Sequence, residues 1–204
     1  MTLQAYPFAA MQHAIGRLSA KDANGKAIKL EAGKTYENIT VSDQPDETPA
    51  YTGLAQAEDG TWYYYLEGEI AYGISGLAQN EYGWWYVENG KVDFTHNGLV
   101  QNQYGWWYVQ NGQINFGYTG LVANEYGWWY VQNGQINFNY TGLAQNEYGW
   151  WYVEGGKINF NYNSLAANEY GWWKIDGGKV NFDFTGAVEY NSAYYTVVNG
   201  KVVF

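Results

Sequence analysis

From Tyr51 onward, apolar and polar residues follow a pattern that keeps returning. Gly76 to Phe94 reads GLAQNEYGWWYVENGKVDF, Gly98 to Phe116 reads GLVQNQYGWWYVQNGQINF, and two near-copies start at Gly120 and Gly142. The leucines Leu54, Leu77, Leu99, Leu121, Leu143 and Leu165 mark the units, and Ala187 takes that place in a degenerate last one. Self-similarity at such a period signals a stacked array, with divergent first and last units acting as caps. Within each unit, Asn89-Gly90, Asn111-Gly112, Asn133-Gly134 and Asn199-Gly200 mark two-residue hairpin turns, and Gly155-Gly156 and Gly177-Gly178 take the same place. Such a turn pairs Glu88 with Lys91, Gln110 with Gln113, Gln132 with Gln135, Glu154 with Lys157 and Asp176 with Lys179. An acid always meets a lysine and a glutamine meets a glutamine, as directly opposed cross-strand residues require.

That register sorts the faces, because successive residues of a strand point to opposite sides. Trp85, Val87, Val92 and Phe94 fall on one apolar face, with Val87 opposite Val92 and Trp85 opposite Phe94. Trp84 and Tyr86 fall on the other, beside Asp93 and Thr95. A lone hairpin is marginal in water, so the expectation is stacking that buries the Trp85/Phe94 face together with the Leu77-type residues. The segment AQNEYG is expected to be the loop between hairpins, and Asn115, Asn137, Asn159 and Asn181 to satisfy backbone groups between repeats. The predicted fold is all-β: a β-solenoid of about seven stacked hairpins over residues 51–204. A small α+β or irregular segment precedes it over 1–50, with a helix spaced by Phe8, Met11, Ile15 and Leu18, strands over 27–30 and 36–41, a turn at Asn24-Gly25, and an acidic linker over 44–49.

Composition narrows the possible functions. Aromatic residues make up 20% of the chain, including 11 Trp and 22 Tyr, and 20 acids outweigh 10 basic residues. Residues 51–204 hold 14 of the acids and 5 lysines. A nucleic-acid binder needs a basic stripe, so nucleic acid is an unsuitable partner. No apolar run is long enough to span a bilayer. The start of the chain has no basic stretch followed by an apolar one, which reads as no signal peptide here and as a segment cut from a larger protein, or a cytosolic chain. With no cysteine, thiolate chemistry and disulfides are excluded. His13 and His96 have no triad motif around them, and the acids recur along the array instead of clustering at calcium-loop spacing. The expectation is a non-enzyme with no catalytic residues, metal or cofactor.

The unit GLAQNEYGWWYVENGKVDF resembles the choline-binding and related cell-wall-binding repeats of secreted Gram-positive proteins, and GTWYYYLEGEIAYGISG, from Gly60 to Gly76, resembles them too. That resemblance implies a secreted or bacterial cell-surface location. It also implies a non-catalytic module attached to a domain elsewhere, holding choline in aromatic cages between hairpins. The family's cage takes one Trp from a Gly-Trp step after the second strand; here Gly76-Leu77, Gly98-Leu99 and Gly120-Leu121 put leucine there.

The candidate ligand-binding residues are Trp84, Tyr86, Trp106, Tyr108, Trp128, Tyr130, Trp150, Tyr152 and Trp172. Their rings suit a quaternary ammonium by cation–π attraction, or a sugar ring with neighbouring Asn and Gln bonding its hydroxyls. Glu81, Glu125, Glu147 and Glu169 recur at one position, as rim charges, as solvated loop charges or as partners of the adjacent tyrosines. Two other readings stand beside this one. The exposed aromatics form an adhesin surface for a host protein, or they are all inter-repeat packing in a spacer. The expected partner is a cell-wall polymer bearing choline-like or saccharide groups, bound with the avidity of repeated weak sites.

Overall fold

A computed structural model describes residues 19–28, 39–42 and 51–204. The chain divides into two compact units, Met1–Tyr51 and Thr52–Phe204. In the first, Ser19–Lys21 pairs antiparallel with both Ala27–Ile28 and Thr40–Ser42. Between the first two strands Asp22 Oδ1 accepts from the Asn24 and Lys26 amides, and Gly25 takes φ 81°. The expected helix over 8–18 and the linker over 44–49 lie outside the described residues.

The second unit holds seven three-stranded repeats, every strand antiparallel, and there is no helix among the described residues. The second repeat shows the plan: Gly76–Asn80, Gly83–Glu88 and Lys91–Val92. The hairpin register follows the sequence reading, with Glu88 opposite Lys91 and Val87 opposite Val92. In the third repeat Gln110 faces Gln113. Asn89 and Gly90 take φ 50° and 78°, the double left-handed step that lets a two-residue turn follow the strand twist.

Two expectations change. AQNEYG is not a loop. Its first residues form a strand, with Leu77 opposite Tyr86, Ala78 opposite Trp85 and Asn80 opposite Gly83, so only Glu81 and Tyr82 turn. The last strand stops at Val92, and Phe94 is about half exposed instead of buried; its ring meets Trp85 edge-on at 5.5 Å. Leu77 lies opposite Tyr86 and so shares the Trp84/Tyr86 face, and its equivalents Leu54, Leu121, Leu143 and Leu165 are buried as expected.

Both faces are used when units meet. The leucine face of one repeat packs on the valine face of the next: Leu143, Trp150 and Tyr152 meet Ala166, Trp173, Ile175 and Val180. Val87, Val109, Val131, Val153, Ile175 and Val197 are fully buried, each contributing about 1.5–3 kcal/mol of burial. Backbone bonds clamp each junction. The Tyr108 amide donates to Gly134 O, and the Gly134 amide donates to Tyr118 O. One strand bridge adds to these, Trp107 opposite Gln135 at this junction and Trp173 opposite Lys201 at the last.

Candidate functional site

The strand GWWYV sends alternate rings to the two sides of a junction, and the turn that opens it adds another. Asn102 shows how the local sequence holds them. Its Oδ1 accepts from the Tyr104 amide at 2.9 Å, closing the turn, and from Trp107 Nε1 at 3.0 Å, fixing the indole. Asn80, Asn124, Asn146 and Asn168 do the same. The turn tyrosine is left 59–65% exposed in the five central repeats and stands edge-on to the first tryptophan of the preceding repeat. The centroids are 6.0 Å apart for Trp84 and Tyr104 and 6.1 Å for Trp106 and Tyr126.

These rings wall an aromatic cleft. At the first junction a cleft of about 320 Å³ is lined by Trp62, Asn80, Tyr82, Trp85, Val92 and Phe94. At the fifth, the same positions, Trp150, Asn168, Tyr170, Trp173, Val180 and Phe182, line a cleft of about 460 Å³ together with Gln145 and Lys201. Concave, mostly apolar walls with a few fixed polar groups are what small-ligand sites require. The last junction differs. Asn191 and Ser192 replace the Glu-Tyr turn, and Trp172 instead meets Tyr190 at 5.3 Å. A smaller cleft of about 110 Å³ remains there, lined in part by Trp172, Tyr195 and Phe204.

The candidate residues therefore separate. Trp150 is a cleft wall, and Trp84, Trp106 and Trp128 stand in the same ring pairs. Trp84 also lines a second, more open cleft between the first and second repeats, with Tyr64, Leu77 and Gln79. The second set of rings lies in stacks. Tyr86 lies on His96, Tyr130 on Tyr140 and Tyr152 on Tyr162, each at 3.7 Å, while Tyr108 is tilted by 38° against Tyr118 at 4.2 Å. The Tyr140 and Tyr162 hydroxyls donate to Leu143 O and Leu165 O, both at 2.8 Å. Burial pushes the Tyr118, Tyr140 and Tyr162 hydroxyls above the usual tyrosine range. In the sixth repeat Lys174 replaces the tyrosine and Phe184 its partner. The buried Lys174 ammonium lies 5.5 Å from the Phe184 ring centre and donates to Ile175 O and Asp176.

Sequence reasoning missed the turn tyrosines, the second tryptophans and Phe94-type rings as walls. The available signal was a large aromatic at the centre of every EYG or QYG turn, where packing gives it no role. The Asn115-type residues each satisfy a backbone amide in the segment that leads to the next repeat. Asn115 Nδ2 donates to Gln110 Oε1 and its Oδ1 accepts from the Gly117 amide, both within one repeat. The Glu169 carboxylate bonds the Tyr170 hydroxyl and so raises it above its usual range, one of the roles open to the Glu81-type position. Among the described residues, no group of three or more His, Asp or Glu side chains gathers to hold a metal ion, and no helix is long and apolar enough to cross a membrane.

Tandem hairpins that meet through aromatic clefts define a repeat-built binding module. The profile of the choline-binding repeat matches residues 50–65, 75–93, 95–115, 117–137, 139–159 and 183–203. These segments make up more than half of the chain, and the chain belongs to that family. The repeat left out of the match is the one that carries Lys174. No curated protein matches the chain over its sequence.

Proposed function

We propose that residues 52–204 form a β-solenoid that attaches a secreted protein to a bacterial surface. The inter-repeat clefts would take choline-like ammonium or saccharide groups of a wall polymer. The observation that supports this most is that one cleft, walled by Trp84-type, Trp107-type and Phe116-type rings and the turn tyrosine, returns at the first and fifth junctions, with the same ring pairs at the junctions between. An ammonium over such rings gains about 0.5–2 kcal/mol per ring, too little alone, so affinity for a polymer rests on repetition. The leucine at the Leu77 position is not among the walls of the first and fifth clefts, where the turn tyrosine supplies a ring. Trp84, Trp106, Trp128, Trp150 and Trp172 carry this proposal. Tyr86, Tyr108, Tyr130 and Tyr152 would support the clefts through their stacks.

The test is a tryptophan-fluorescence titration with choline on the wild type, Tyr104→Ala and Trp84→Ala. Saturable quenching, weakened in both variants, supports the wall module. Tyr104 is 63% exposed, so its loss separates ligand contact from folding. No response in the wild type up to tens of millimolar rejects the choline reading.

One observation favours a protein interface as the second reading. The turn tyrosines and the 49–52% exposed Phe94, Phe116, Phe138, Phe160 and Phe182 form repeated surface rings, and aromatic residues are enriched at interfaces. A protein partner is expected to bind with one per chain, a wall ligand with several.

A further inference from the structure

The clefts are not chemically equal. Each Trp85-type ring pairs with the first residue of the next repeat's short strand, and that residue changes along the array. It is Gln113 against Trp85 and Gln135 against Trp107. It is then Lys157 against Trp129, Lys179 against Trp151 and Lys201 against Trp173. The glutamines are tied to backbone and neutral: Gln113 Nε2 donates to Tyr82 O at 3.1 Å and Gln135 Nε2 to Tyr104 O at 2.8 Å. The lysines place a full charge on the indole instead, with Nζ 5.1, 5.3 and 5.4 Å from the ring centres of Trp129, Trp151 and Trp173. The two clefts seen in full show the consequence. The cleft containing Trp85 has no cation in its wall, whereas the cleft containing Trp173 has Lys201.

Resting on the reading of the clefts given above, we propose that the array carries two classes of site, set by this one position. The clefts of Trp85 and Trp107 take a cationic group such as a quaternary ammonium. The clefts of Trp129, Trp151 and Trp173 already hold an ammonium, that of the lysine, and repel a second one. They take a neutral or anionic saccharide group that accepts a hydrogen bond from the lysine. The facing residues do not cancel the lysine charges uniformly. Glu154 faces Lys157 across the turn and keeps its charge beside the neutral Asn159, whereas Asp176, which faces Lys179, is already paired with Lys174. Lys201 faces only Val198.

Isothermal titration of the full chain with choline and with tetramethylammonium tests this. The wild type is expected to saturate at two cation sites, the triple variant K157Q/K179Q/K201Q at five, and Gln135→Lys at one. Each variant introduces a residue that the array already carries at that position, so folding is expected to survive, and a melting curve checks it. Saturation at five sites in the wild type, or an unchanged count in the triple variant, overturns the two-class proposal and leaves the wall-module reading standing. No cation binding in the wild type or in the triple variant overturns both the proposal and the ammonium reading of the clefts.

Discussion

Two neighbouring glycines show how differently one residue type can be constrained. Gly155 and Gly156 form the turn of the fifth repeat, with φ 56° and 79°. A Cβ on Gly155 would find only Phe138 O, at 3.7 Å, and four other repeats carry asparagine there. A Cβ on Gly156 would stand 2.5 Å from Asn137 O and 2.8 Å from Phe138 Cα, both backbone of the preceding repeat. Gly155→Asn is therefore expected to leave stability unchanged. Gly156→Ala adds backbone strain of about 1–3 kcal/mol to a contact that only a shift of the whole junction relieves. Chemical denaturation midpoints compare the two. Asn124→Ala belongs with them: it leaves the Tyr126 amide and Trp129 Nε1 without their acceptor, and is expected to cost about 1–3 kcal/mol. The turn glycines were legible in the sequence, because a left-handed pair has a local signature. The asparagine was not, because its partner is an indole five residues on, and nothing in the spacing says which way that ring points.

At the scale of the strand, the missed element is the most instructive. Ala78 to Asn80 looked like loop because its turn has no glycine at its centre. The signal sat at the corners instead, Asn80 before and Gly83 after, the residues that a type I turn prefers at its first and fourth positions. The exposure of Phe94 was hidden for a related reason: alternation predicts a face but not where a strand ends. The stacked tyrosines that join one strand to the next carry a pH dependence. Burial raises the Tyr118, Tyr140 and Tyr162 hydroxyls, so the fold favours their protonated form. The stability they contribute is complete below the ordinary tyrosine value of about 10 and is lost as pH rises through their higher folded values. Melting temperature is expected to be insensitive to these groups at neutral pH and to fall above pH 10. The double variant Tyr140→Phe/Tyr162→Phe should start about 1–3 kcal/mol less stable, having lost two hydrogen bonds, and should decline less steeply in alkali.

At the scale of the whole array, extensive contacts run within a repeat or to the next one. Stability in such arrays is a sum of units and nearest-neighbour interfaces. Deleting residues 117–138 joins Phe116 to Asn139 in the same register and is expected to give a chain that still folds, with a lower melting temperature and one cleft fewer. Loss of cooperative melting would show that the junctions are not interchangeable. The period and the hairpin register were legible because the sequence states them many times over. The clefts were only half legible, since each is completed by a ring from another repeat, and strand alternation says nothing about which rings meet across a junction. The clamp at each junction, in which a turn glycine both donates to and accepts from the repeat before it, is the same at every step and makes no reference to position in the chain. A genetic slip that copies or drops one near-identical repeat therefore yields a chain whose new neighbours already fit. Copy number can drift without any second mutation, while the residue at the Gln135 or Lys157 position travels with each copy and carries its ligand preference along.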